Sequence, residues 1–503
     1  MWKRWNHGLI LLLLIISLLQ SQTIWAGQNG TGKEKAYKLP ELRVKGAKGG
    51  MSVALSPDRV DMDLEDYHPT GSPSNIMDIL KQRPIIDFRQ ASDLSPSNDE
   101  VQMRGFDPKM FVTAVNGVMI QKIGGHWGNH KLDFTTLPLQ EVKEVEIIPG
   151  PHSPFYPGRS IGGVLNLKTK PPERRKTLKP DMKLQSSYSS YDTRNHFLSM
   201  KGNIQAFNYG LSYRHYQTDG YLRNNESELD IVRGKISYLL PSSGYARLSA
   251  SHTDKLREIP VANDPSLSAS DYPGSPGGGL PPGVSSDYGY DPDYPVVKNK
   301  YVRYIGPNHP RRKKDDSMIR LDAEKPTPLG TWKLNIYRKY ADQVYKFDPD
   351  HLPKRAKGDA SAAYTDWTTW GGKIQDNLEL GSHDLTFGFD MAKLYSDMGD
   401  FYDHEIERIL AGFGQDEWDI TDSLTLKFGL RYSKQTIWWN NENIRTGNRI
   451  DSNKGKNIEK DYSQLVPKSF LTYELDNWGD VLRDTSVSLG VSRIWTPREF
   501  CSV

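Results

Sequence analysis

Along SLTLKFGLRYS, apolar and polar side chains alternate one by one. Leu424, Leu426, Phe428, Leu430 and Tyr432 fall on one face, and Thr425, Lys427, Gly429, Arg431 and Ser433 on the other. HDLTFGFDMA repeats the pattern, setting Leu385, Phe387, Phe389 and Met391 against Thr386, Gly388, Asp390 and Ala392. A period of two is that of a strand with two unlike faces. Comparable segments recur near 182–190, 194–202, 206–217, 229–240, 244–254, 316–325, 331–341, 365–380, 405–420, 461–475 and 484–495, which predicts about thirteen successive strands from residue 181 onward. Alternation alone fits a soluble sandwich as well as a membrane barrel, but the connections separate the two. NIQA, LPSSG, PTPLG, LGSH and TDS are tight, whereas the intervening connections reach about sixty residues around 255–315 and about twenty around 342–364 and 437–460. Short turns on one side and long loops on the other are the mark of a transmembrane β-barrel whose tight side is periplasmic.

The texture before residue 172 is different. Ser72–Pro73 reads as a helix start, with Ile76, Ile79 and Leu80 at helical spacing and Pro84 as the stop. In FVTAVNGVMI, Asn116–Gly117 supplies the residues that a two-residue hairpin turn requires. EVEII and GVLNLKT are two further strands, separated by a segment rich in glycine and proline. Residues 51–172 are thus expected to form an α/β domain, closed by Pro171–Pro172 and a basic run, with residues 173–503 forming the β-rich remainder.

Composition narrows the class. The 503-residue chain is 36% hydrophobic with a mean hydropathy of −0.65, which excludes a polytopic helical membrane protein. A net charge of +3 leaves no nucleic-acid footprint, and the single cysteine, Cys501, cannot form an internal disulfide. Lys3 and Arg4, the apolar run Leu9–Leu19 and Ala26–Gly27 read as a secretory signal over residues 1–26. No nucleotide loop, nucleophile triad or zinc-protease motif occurs, so an enzyme is not expected.

The segment EVEIIPGPHSPFYPGRSIGGVLNLKTK resembles the plug motif of TonB-dependent outer-membrane receptors, with Tyr156–Pro157 where that family usually has Tyr-Gly. VQMRGF resembles the family's Arg104-Gly105-Phe106 motif, and LPELRVKG lies where the family keeps its TonB box. The resemblance runs from about residue 37 to the end. It implies an all-β transmembrane barrel of roughly twenty-two strands with an α/β plug in its lumen. About thirteen strands are counted here, so the barrel is read as incomplete and the chain as C-terminally truncated. It also implies residence in the outer membrane of a Gram-negative bacterium, among outer-membrane lipid, and energy-coupled uptake of a scarce metal chelate. A ferric siderophore leads as substrate, with cobalamin, haem or another metal complex as alternatives. A passive channel or a surface-binding protein is the competing class.

Site expectations follow. Leu39, Pro40, Glu41, Leu42, Arg43 and Val44, in the periplasmic arm 27–50, would pair edge to edge with TonB, itself driven by its inner-membrane energising complex. His126, Trp127, Asn129 and His130 in GGHWGNH, with Tyr288 and Tyr290 in the long loop, are candidates for contacting a metal-chelate substrate. Two histidines alone, or Asp287, Asp291 and Asp293 in their spacing, are too weak to assign a metal site. Gly150, Pro151, Tyr156, Gly158, Gly162 and Gly163 are scaffold, with the glycines expected to let the plug backbone approach the inner wall. No resident cofactor is expected, the iron being cargo, and the receptor is expected to be a monomer.

Overall fold

The computed structural model describes residues 60–63, 76, 80, 86–89, 100–106, 110–120, 141–150, 154–156, 160–172, 179–220, 225–241, 243–258, 311–346, 362–398, 402–440, 457–475 and 485–495. The first seven strands are β1 (Val60–Asp63), β2 (Ile86–Arg89), β3 (Glu100–Met103), β4 (Phe111–Val115), β5 (Val118–Met119), β6 (Val142–Pro149) and β7 (Gly163–Thr169). They form a five-stranded sheet in the order β1-β6-β7-β4-β5 and a separate β2-β3 pair. Only β4 and β7 run parallel. Ile76 and Leu80 are helical and fully buried, as their spacing predicts, while Ile79 lies outside the described residues. The Asn116–Gly117 turn takes φ values of 50° and 78°, both in the left-handed region, and joins β4 to β5.

The remaining thirteen strands form one sheet in strict chain order. They are β8 (Asp181–Ser189), β9 (Thr193–Ile204), β10 (Phe207–Thr218), β11 (Ser227–Leu239), β12 (Tyr245–Glu258), β13 (Arg311–Thr327) and β14 (Gly330–Lys346). They continue as β15 (Ala362–Leu380), β16 (His383–Met398), β17 (Tyr402–Thr421), β18 (Leu424–Asn440), β19 (Asn457–Glu474) and β20 (Ser486–Ser492). Every neighbouring pair is antiparallel, and among the described residues β8 and β20 are not paired with each other.

The two faces of this sheet invert the usual distribution. Large apolar side chains are exposed on one face, among them Ile236, Leu248, Ile319, Phe387 and Phe428, and Leu489 is 74% exposed. On the other, Arg247, Arg320, Asp322, Gln435 and Arg431 are all buried. Apolar out and polar in is the arrangement of a wall with hydrocarbon on one side.

The sorting of connection lengths holds for most connections and not for all: β8 to β9 and β16 to β17 follow closely on the long-loop side. In the first, Tyr191 and Asp192 adopt positive φ and Thr193 closes the turn onto the Ser190 carbonyl at 3.3 Å. The strands also run further than their alternation shows. β13 begins at Arg311, β17 at Tyr402 and β19 at Asn457, so the long connections are shorter than expected.

Candidate functional site

The plug and the wall meet along the turns of the plug. Two of these turns are built by the motifs singled out above. Arg104 and Gly105, at φ 54° and 80°, form a tight turn in which Met103 and Phe106 exchange both backbone hydrogen bonds, at 3.0 and 2.9 Å. Gly163 sits at φ 132°, and a Cβ there would lie 2.3 Å from the Ile148 carbonyl oxygen and 2.7 Å from the Met103 sulfur. A Cβ on Gly162 would meet that of Phe106 at 2.9 Å. These two glycines therefore clear the plug's own packing rather than the wall, because the β6–β7 hairpin is folded onto the Arg104–Gly105 turn.

A buried polar network stiffens the hairpin tip. The Asn116 amide donates to Thr169 Oγ1 at 2.8 Å, and the Thr169 backbone N–H returns a bond to Asn116 Oδ1 at 2.8 Å. The Gly117 N–H donates to Asn166 Oδ1 at 2.9 Å, and Asn166 Nδ2 donates to Glu146 at 2.8 Å. Glu146 is fully buried, and Lys168 Nζ stands 3.6 Å from it and 2.6 Å from Glu144. A buried carboxylate with an amide donor and an ammonium beside it is satisfied rather than orphaned.

The wall grips the plug mainly through cations aimed at neutral oxygens, beside a longer ion pair from Lys235 to Glu141 at 3.8 Å. Arg320 donates to the Val115 carbonyl at 2.9 Å and Lys339 to that of Ile120 at 3.4 Å. Lys373 reaches the Gly117 carbonyl at 3.4 Å and that of Phe155 at 3.3 Å. Arg431 donates to the Pro154 carbonyl at 3.3 Å, and Arg247 to Thr169 Oγ1 and the Lys170 carbonyl at 3.2 and 3.1 Å. Arg431 is itself held by a two-point bond to Asp390, at 2.7 and 2.9 Å, and Arg320 by Asp322. Phe155 packs edge-on against Phe413 of β17 with ring centroids 5.6 Å apart, and the Lys373 ammonium lies 5.0 Å from the Phe413 ring. Phe413 joins the plug's core cluster of Val112, Ala114, Ile148, Phe155, Tyr156 and Val164.

Among the described residues, two cavities lie at this contact. One of about 140 Å³ lies between the plug hairpin and strands β11–β14, lined by Arg233, Lys235, Arg247, Arg320 and Lys339 against Glu141, Asp316 and Asp322. A smaller one of about 50 Å³ lies between Phe155 and Tyr156 and the wall residues Tyr337, Lys373 and Asp390. The Tyr337 ring occupies the space over Gly371, its direct cross-strand partner, where a Cβ would approach the ring to 2.3 Å.

Of the residues singled out in the sequence, Arg104, Gly105, Phe106, Gly150, Tyr156, Gly162 and Gly163 are brought together in the plug. Leu39–Val44, His126, Trp127, Asn129, His130, Pro151, Gly158, Tyr288 and Tyr290 lie outside the described residues. The gripping cations were not anticipated as site residues. Their signal is a charge at an inward position of an alternating strand, as Arg431 is in SLTLKFGLRYS.

Comparison with known proteins decides the family. The profile of the "TonB-dependent Receptor Plug Domain" matches residues 62–164, and that of the "TonB dependent receptor-like, beta-barrel" matches residues 258–499. The chain belongs to the TonB-dependent receptors. Members of that family are β-barrel proteins of the Gram-negative outer membrane, and they are transporters rather than enzymes. The Vitamin B12 transporter BtuB of Vibrio vulnificus is 30% identical over 95 residues, which are 19% of this chain and 15% of that protein. The copper transporter OprC superposes with a TM-score of 0.62 at 14% identity, over 87% of this chain and 64% of that one. The ferric yersiniabactin uptake receptor FyuA from Yersinia pestis gives 0.58 at 15% identity, over 83% of this chain and 62% of that one. The chain thus spans less than two thirds of these relatives, and the structural likeness at such identities is one of fold.

Proposed function

We propose that this receptor takes up a metal chelate across the outer membrane with energy supplied through TonB, and that the substrate class is a ferric siderophore. The observation that carries the reading is the way the plug is seated. Its turns are held on the inward face of the wall by Arg247, Arg320, Lys339, Lys373 and Arg431, which bond neutral oxygens of residues 115–120, 154–155 and 169–170. A plug so held argues against free diffusion. Contacts from a cation to a carbonyl are directional, yet they can be broken without separating two opposite charges. That suits a plug that is shifted by a pull and then returns.

In this reading Leu39–Val44 add as a strand to TonB, whose inner-membrane complex supplies the force. His126, Trp127, Asn129, His130, Tyr288 and Tyr290 are the substrate contacts, with flat aromatic faces for a chelate and imidazoles for its metal. The iron is cargo, no resident cofactor is involved, and the receptor works as a monomer among outer-membrane lipid. Cobalamin is the second reading, favoured by the likeness to a vitamin B12 transporter. Deleting Leu39–Val44 should abolish uptake while leaving substrate bound at the cell surface. Uptake that survives the deletion would instead favour a passive channel. Competition between ferric siderophores and cobalamin for the retained surface binding separates the two substrates.

A further inference from the structure

Near the ends of β10 and β11 that face away from the tight turns, three side chains with metal-binding atoms converge. The ligand atoms of His215, Glu228 and Asp230 lie within 4.8 Å of one another, the one such group among the described residues. The strand register explains the convergence. His215 and Asp230 are direct cross-strand partners, and Gln217 and Glu228 are partners at the next position on the same face. That face is the outward one, because Phe207 on β10 and Ile236 on β11, of the same parity, are 51% and 58% exposed. His215 stands close to the end of β10 at Thr218, and Asp230 close to the start of β11 at Ser227. A tilted strand crosses the hydrocarbon in about nine to eleven residues, so the group lies at the far rim of the apolar band. The His215 and Asp230 side chains are 24% and 37% exposed, open to an ion from water.

The spacing suits a small metal ion. His215 Nδ1 stands 3.0 Å from Asp230 Oδ1. Two ligands of a tetrahedral zinc site, each about 2.0–2.1 Å from the ion, are themselves about 3.3 Å apart. The pair thus already has the edge length of such a site, and an ion would replace the proton between the two atoms. Glu228 brings a third oxygen by turning about its own side-chain bonds. Both members of the pair are held from outside. His196, the direct partner of His215 on β9, stacks on its ring with centroids 6.3 Å apart and planes 7° from parallel. Ser186 Oγ anchors His196 Nδ1 at 2.9 Å, and the Tyr213 hydroxyl donates to Asp230 at 2.6 Å. Outer contacts of this kind orient the ligands of a metal.

The surrounding charge also favours a cation. Asp230 is directly opposite Asp254, and Asp254 is opposite Asp315, an arrangement of like charges that destabilises a sheet. Lys313 lies 3.5 Å from Asp254 and 3.2 Å from Asp315 and so serves those two. A dication beside Asp230 would relieve the rest. His383 and Asp416 offer a natural contrast. They pair at 2.9 Å and His383 stacks on Trp418, but no third metal-binding side chain joins them among the described residues.

We infer that His215, Glu228 and Asp230 bind a divalent transition-metal ion of the zinc type, which clips β10 to β11 on the outer wall. An imidazole with two carboxylates suits Zn²⁺ better than Ca²⁺, which takes about six to eight oxygen ligands. The ion is structural and separate from the cargo, so the inference stands whatever the receptor imports.

The test titrates the full chain, folded in detergent micelles, with Zn²⁺ in competition with a chromophoric chelator. One equivalent should be held at least about tenfold more weakly by Glu228→Gln and by Asp230→Asn than by the unaltered protein. Glu228→Gln is the sharper variant, since it leaves the His215–Asp230 contact in place and removes only a ligand. His383→Gln should change nothing, and excess Ca²⁺ should not displace the zinc. On the unaltered chain, Zn²⁺ should protect His215 but not His383 from diethyl pyrocarbonate, read by mass spectrometry. That measurement decides the matter if a variant loses its β-sheet circular dichroism. Unchanged zinc affinity in both carboxylate variants, displacement by Ca²⁺, or equal modification of His215 with and without Zn²⁺ would each overturn the assignment.

Discussion

At the scale of single residues, the plug motif is a problem of space. Gly163 combines φ 132° with a position where a Cβ would press on the Ile148 carbonyl and the Met103 sulfur, whereas Gly117, at φ 78°, has open space around it. Both positions penalise a side chain through the backbone, but only one adds a collision. Gly117→Ala should therefore cost about 1–2 kcal/mol, the backbone term alone. Gly163→Ala should cost clearly more than the roughly 1–3 kcal/mol of backbone strain alone. Amide exchange in β6 and β7 reads the difference, and similar acceleration in the two variants would refute it. The glycines themselves were legible in the sequence because turns leave so few alternatives. What they clear was not, since nothing local says that Met103 and Phe106 fold back onto residues 162–163.

At the scale of strands, alternation was informative wherever one face meets hydrocarbon and the other meets the plug. SLTLKFGLRYS sorted Arg431 and Phe428 to opposite faces, and one is buried against the plug while the other is exposed. The pattern failed at the outer ends, as in RRKKDD of β13, where both faces are polar and period two carries no contrast. For the same reason the connections looked longer than they are. The gripping cations show a related limit, since an inward charge is visible in sequence but its carbonyl partner, some 200 residues away, is not. Their energetics differ in a testable way. Lys373→Met removes the bonds to Gly117 and Phe155, a loss of about 1.5–3 kcal/mol each for a charged donor. Arg431→Met removes the bond to Pro154 and also strips Asp390 of its two-point partner, leaving that inner-wall carboxylate with the neighbouring Lys373 ammonium as its remaining compensation. Limited proteolysis should thus cut the 150–162 connection faster in both variants, and fastest in Arg431→Met. The reverse order would mean that Asp390 finds another partner.

At the scale of the whole sheet, the described strands leave two edges. β8 bonds only to β9 and β20 only to β19, while each of β14–β18 has a neighbour on both sides. In an antiparallel strand successive N–H groups point to opposite edges, so an interior strand has every amide paired and an edge strand only every second one. The free groups matter here because an unsatisfied N–H in hydrocarbon costs several kcal/mol, and the outward side chains of these strands, Leu184, Val487, Leu489 and Val491, are apolar and exposed. Two outcomes of hydrogen exchange are distinguishable. If the edges stay open, β8 and β20 will show protection that alternates residue by residue, against uniform protection in β14–β18. If each edge is covered, by the other edge, by a second copy or by another strand, their protection will be uniform as well. The alternating pattern is expected for this chain by itself. Its disappearance on adding a candidate partner strand would identify what completes the wall, because only a bonded strand protects the outward set of amides without disturbing the inner set.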